Sequence, residues 1–128
     1  MKNAKIGFSM AINGTEFTAF EVVGTVVSNG LIFTDTENND YQIDIISPTV
    51  SITKTGTITS KMAFQNQSIT TGIIRMADAY IDLTIKTQRL KIAFNAIDII
   101  YDLLDDDVVI SQHHLHLYWQ LDTERKEN

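Results

Sequence analysis

The sequence predicts an all-β fold, a single antiparallel meander closed into a barrel of about eight to ten strands. The first observation is a hydrophobic period of two. Ile81, Leu83 and Ile85 alternate with Asp82, Thr84 and Lys86, and Ile58, Ser60, Met62 and Phe64 alternate with Thr59, Lys61 and Ala63. The second is the abundance of Thr, Ile and Val throughout, residues that favour a pleated, half-buried strand. The third is the short spacing of turn signals: Asn13-Gly14, Asn29-Gly30, Asn38-Asn39-Asp40, Pro48, Gly56, Asn66 and the triple aspartate at 105–107. So many consecutive antiparallel strands must protect their edges, and closing the sheet removes edges altogether; a sandwich is the alternative.

Each strand is bounded by those signals. Strand 5–11 ends at Asn13-Gly14, and strand 16–27 ends at Asn29-Gly30; both pairs tolerate the positive φ of a type I′ hairpin turn. Strands 31–35 and 41–46 flank the Asn-rich turn, and Pro48 separates 41–46 from 50–55. Gly56 divides 50–55 from 57–65, and Asn66 precedes 68–76. Strand 80–87 follows. Apolar parity then changes from odd positions to Leu90, Ile92 and Phe94, which predicts a bulge or bend around Thr87 to Arg89. It changes again before Ile97, so strand 90–103 carries a break near Asn95. The last strand is 108–121. Residues 1–121 therefore read as one barrel domain, and 122–128 as a disordered polar tail without an apolar anchor.

Composition narrows the function classes. With 44% hydrophobic and 20% charged residues in 128, the chain reads as one globular domain that buries roughly two thirds of its unfolded surface. No apolar run approaches the ~18 residues of a spanning helix, so no membrane partner is expected. The N-terminal stretch is interrupted by Gly7, Ser9 and Asn13 and lacks a signal-peptide core, and cysteine is absent; a cytoplasmic location is expected. A net charge of −6 disfavours nucleic acid, and Lys86, Arg89 and Lys91 read as a solvated strand face.

All three histidines fall within "ISQHHLHLYWQL", beside the single tryptophan. A three-residue loop at 105–107 would pair Leu104 with Val108, Tyr101 with Ser111 and Ile99 with His113. That pairing makes a continuous apolar face of Ile97, Ile99, Tyr101, Leu103, Val109, Leu115, Leu117, Trp119 and Leu121. His113 lies on this face, either bonded to Tyr101 or Ser111 or facing a ligand cavity. His114 and His116 lie on the other, with Asp98 opposite His114. A His-x-His pair with Asp98 is a candidate metal site, its histidines about 6.5–7 Å apart by strand rise. The solvated strand face is the simpler account. Lone Arg75 is a candidate for a ligand carboxylate inside the barrel. No nucleophile, base and orienting acid converge, no catalytic residue is assigned, and no cofactor is expected.

The stretch "VSITKTGTITSKMAFQNQSITTGI" with "YIDLTIKTQRLKIAF", "IDIIYDLL" and "HHLHLYW" resembles the YwiB-like family of small bacterial proteins of unknown function. The matching positions are Ile52, Lys54, Thr55 and Gly56, then Lys61 and Phe64, Thr87 and Leu90, and Tyr101 and Leu103. They span about residues 50–121. The resemblance implies a calycin-like, lipocalin-like barrel and carries over no catalytic residue. Two departures accompany it: "RMADAY" stands where relatives turn on Pro and Gly, and the Gly-x-Trp of true lipocalins is missing.

The expectation is a non-enzymatic barrel that takes a small, largely apolar ligand, with His113, Tyr101, Ser111, Arg75 and Trp119 as contacts. The competing expectation is a filled barrel acting through its outer surface, as a homodimer or on a protein partner, through exposed residues such as Phe17 or Phe33.

Overall fold

The computed structural model describes residues 2–122, the side chain of Glu16 excepted. The polar tail expected at 122–128 lies outside the described residues but for Asp122. Ten strands follow one another: β1 (Lys2–Ile12), β2 (Glu16–Val27), β3 (Gly30–Thr34), β4 (Asp40–Ile46), β5 (Thr49–Thr55), β6 (Ile58–Gln65), β7 (Ile69–Met76), β8 (Ala79–Ile92), β9 (Ala96–Asp105) and β10 (Val108–Leu121). Each pairs antiparallel with its neighbours in sequence. β1 also pairs with β10, which closes the barrel.

Turn chemistry explains the connections. Asn13 and Gly14 adopt φ of 54° and 74°, as the Asn-Gly pair predicts. The second pair behaves differently. Val27 pairs with Gly30, so Ser28 and Asn29 make the turn and Gly30 opens β3. There the absence of a side chain serves close approach, because a β-carbon would fall on the carbonyl oxygen of Ile43 in β4. "RMADAY" turns with Ala77 at φ 42°.

Two bulges set the later registers. Thr87 pairs with Tyr101 and Arg89 with Ile100, leaving Gln88 as the extra residue at the predicted parity change. Strand β8 continues through this bulge to Ile92, and the break falls at residues 93–95, so the strand pair expected at 80–87 and 90–103 becomes 79–92 and 96–105. The loop at 105–107 also differs. Asp105 pairs with Val108 across a two-residue turn, Asp106 and Asp107 both lying at positive φ, 51° and 66°. A bulge at Ile110 then restores parity, so Tyr101 faces His113 rather than Ser111, and His116 rather than His114 stands opposite Asp98. Faces survive this correction, since the two registers differ by two residues. Only Val109, which precedes the bulge, leaves the apolar face and is half-exposed.

The inward faces fill the barrel unevenly. One rim carries the turns at 13–15, 35–39, 56–57, 77–78 and 106–107, and is here termed the first rim; the second carries 28–29, 47–48, 66–68 and 93–95. Toward the second rim, Ala4, Ile6, Leu31, Ile43, Val50, Ile97, Ile99 and Leu117 are all at most 1% exposed. Phe33 is also buried, at 3% exposure, because it pairs with Tyr41 on the inward face toward the first rim; the expectation that it lies on the surface is corrected.

Gly30→Ala is expected to lower stability by roughly 1–3 kcal/mol, since the β3–β4 backbones must part to admit a methyl group. Urea unfolding reads this as a reduced midpoint at constant m-value, and an unchanged midpoint contradicts the close approach.

Candidate functional site

Toward the first rim the packed core gives way to a cavity of about 280 Å³. Its wall is largely apolar: Phe8, Met10 and Ile12 from β1, Ile52 from β5, Met62 and Phe64 from β6, and Leu115 from β10. Tyr41, Tyr101, His113, Lys54, Ser60 and Thr18 add polar groups. Alternation alone brings these side chains inward. Lys54 shares parity with buried Val50 and Ile52, and Ser60 with Met62 and Phe64. Exposed Thr18 and half-buried Lys54 mark where the cavity meets solvent.

Aromatic rings on several strands contribute to the wall, some of them stacked on a neighbour. Tyr101 and His113 lie 4.7 Å apart and 7° from parallel, with Phe64 tilted against Tyr101 at 4.7 Å. Phe33 stacks on Tyr41 at 4.7 Å, and Phe8 on Phe20 at 4.9 Å. Such offset rings are rigid walls with apolar faces.

His113 is bonded to Ser111 and also lines the cavity. Its Nε2 lies 2.8 Å from Ser111 Oγ, and its Nδ1 lies 3.5 Å from the sulfur of Met10. A thioether only accepts, so Nδ1 carries the proton and the Ser111 hydroxyl donates to Nε2. Burial pushes the His113 pKa below its ordinary value, against the weaker opposing charge of Asp102. The ring is thus a neutral, satisfied group that also faces the cavity. A hydrolytic triad is not formed around it, because the nitrogen that would need an orienting acid meets Met10 instead. Burial also raises the Tyr101 phenol, and burial with the charges of Asp35 and Glu37 raises that of Tyr41, so both keep their protons at neutral pH.

Two expected contacts lie elsewhere. Arg75 is exposed on the outer face of β7, alongside Ile69 and Ile73, while Thr70, Gly72 and Ile74 point inward. The apolar outward positions had suggested the opposite parity. Trp119 does point inward, but at the second rim, where it lines a separate crevice with Val26, Val27, Gly30 and Ile45. Asn95 clamps it there, its carbonyl accepting from the Trp119 amide at 3.1 Å and its side-chain amide donating to the Trp119 carbonyl at 3.1 Å.

The outer histidines do converge on Asp98. His114 Nε2 lies 2.8 Å and His116 Nδ1 3.5 Å from Asp98 Oδ1, while Arg89 Nη2 donates to Oδ2 at 2.6 Å. Burial alone would raise the Asp98 carboxyl, but hydrogen bonds from Arg89, His114 and His116 outweigh it and hold the group below the ordinary carboxylate range. The guanidinium supplies the positive charge that a metal ion would bring. Among the described residues no three His, Asp or Glu side chains are arranged to hold a metal.

Sequence reasoning missed most of the cavity wall, notably Phe8, Tyr41, Ile52 and Lys54. The available signal was parity: a lysine two and four residues from Ile52 and Val50 on one strand points where they point.

The depressed His113 pKa has a pH consequence. The unfolded chain takes up the proton near pH 6.5 and the folded one only below that, so its contribution to stability is present above about pH 6.5 and is lost as pH falls through the folded value. His113→Gln is therefore expected to show a shallower fall in urea midpoint between pH 7.5 and 5 than the native chain. Parallel curves would contradict a neutral, buried imidazole.

Comparison with known proteins adds family and fold. The barrel is similar to the crystal structure of the ywiB protein from Bacillus subtilis, with a TM-score of 0.73 at 14% identity over 94% of this chain and 92% of that one. No curated protein matches the sequence. A family model described as "Domain of unknown function (DUF1934)" matches residues 8–117, from the middle of β1 to the inward Leu117 of β10. The chain belongs to that family.

Proposed function

We propose that this protein binds a small, largely apolar molecule in the first-rim half of its barrel and catalyses no reaction on it. One observation carries the reading: an unfilled space of about 280 Å³ continuous with a tightly packed core, into which a few polar groups converge. That combination of apolar wall and sparse, fixed polar contacts is the usual form of a ligand site. Tyr101 and His113 are its inner polar contacts, with Ser111 holding the imidazole in place. A calycin-like role and a cytoplasmic setting belong to the same reading, supported by the closed barrel and by the composition. Among the described residues no helix is long and apolar enough to cross a membrane.

The alternative, action through the outer surface, draws on Phe17, Val23 and Ile69, which are 68%, 71% and 70% exposed. They lie on different parts of the barrel wall, and an unfilled interior favours the first reading over this one.

Native mass spectrometry of gently purified protein separates the two. A monomer carrying one small adduct that is absent from the denatured mass is expected. A strictly apo species across a metabolite screen, or a ligand-free dimer, would overturn the interior reading in favour of the outer surface.

A further inference from the structure

The cavity lining carries a single cationic side chain, while the carboxylates of Asp35 and Glu37 stand near the Tyr41 hydroxyl at the same rim without lining the space. Among the described residues that line it, Lys54 is the one Lys, Arg, Asp or Glu, while His113 is held neutral by burial and the two phenols stay protonated. Lys54 is half-buried at the first rim, its Nζ 5.9 Å from the centre of the Tyr41 ring. Every ion pair among the described residues is made by Asp98 on the outer face, so none of them neutralises Lys54. A half-buried ammonium over an aromatic face, beside an apolar chamber, favours an anion delivered by an occupant.

The walls and the size specify the rest of that occupant. Five of the lining residues present rings: Phe8, Tyr41, Phe64, Tyr101 and His113. The volume is nearly twice the roughly 150 Å³ of an engineered apolar cavity that accommodates benzene. Two fused rings fit that scale.

We propose that the cavity takes an aromatic monocarboxylate, its flat body lying against the Tyr101 and Phe8 side of the wall and its carboxylate meeting Lys54 at the first rim. This rests on the interior-binding reading above and adds the charge and shape of the ligand. The carboxylate accepts from the Lys54 ammonium, and the Ser60 hydroxyl, on the strand paired with β5, stands within the same polar corner. The opposite end of the ligand meets apolar side chains, the protonated Tyr101 phenol and the satisfied His113 ring.

The test is calorimetric titration of the full chain with 2-naphthoate and with 2-naphthamide, which has the same shape without the charge. Naphthoate is expected to bind at least tenfold more tightly than naphthamide. Lys54→Gln should erase that preference while leaving naphthamide within twofold, which also reports an intact cavity, and Lys54→Arg should retain it. Equal affinity of the two ligands for the native chain, or a preference that survives Lys54→Gln, overturns recognition of the charge but leaves an interior site standing. Decanoate binding more tightly than naphthoate overturns the aromatic body. Failure of all three ligands to bind overturns the interior reading and this inference with it.

Discussion

Pairing of β1 with β10 is the constraint on which the rest depends. The seam aligns Ile6 with Trp119, Phe8 with Leu117, Met10 with Leu115 and Ile12 with His113, so the inward faces of the first and last strands become one surface. A slip of one residue would turn the inward set of one strand outward relative to the other, so burial itself fixes the register. The seam also extends past the end of β1, where the Asn13 amide donates to the Gln112 carbonyl and the Asn13 side chain accepts from the Gln112 amide. Closure leaves no free edge and commits each residue of ten strands to one side or the other.

That commitment determines how the interior is occupied. An eight-stranded barrel is just wide enough to be filled by its own side chains, and ten strands enclose more. Here the extra width is taken up near the second rim by Ile, Leu and Val, and in the middle by stacked rings. Toward the first rim the inward residues become Met, Ser, Thr, Lys and His, which are flexible or too small to meet across the lumen. The cavity is the remainder. On the outer wall, Gly7 lets the Tyr118 ring lie across β1 and donate to Glu21 at 2.9 Å, a brace close to the Asp98 network.

Much of this was legible in the sequence because period and turn chemistry are local. A meander of about eight to ten strands, a bulge or bend around Thr87 to Arg89 and a break near Asn95 followed from parity changes and Asn, Gly, Pro or Asp turns, and the ten strands, the bulge at Gln88 and the break at 93–95 agree with them. The division of the histidines, His113 inward and the other two outward, followed from parity as well. What failed was information that parity does not hold. Val108, Val109 and Ile110 are all apolar, so nothing in them marks which residue is bulged. β7 carries isoleucine on both faces, so Arg75 had no clear side. Trp119 has the expected parity but the wrong height along the axis, and height depends on the stagger of all ten strands together. Lys54 was passed over as a motif residue, although its parity with Val50 and Ile52 already aimed it at the lumen.

The claim that one half of the barrel is packed and the other hollow is tested most directly by a crystal pressurised with xenon, which enters dry apolar cavities. Xenon is expected among Phe8, Phe64 and Leu115 and not among Ile6, Leu31 and Leu117. A xenon-free first-rim half, with Met10 and Met62 collapsed across the lumen, would contradict the cavity and every functional reading built on it.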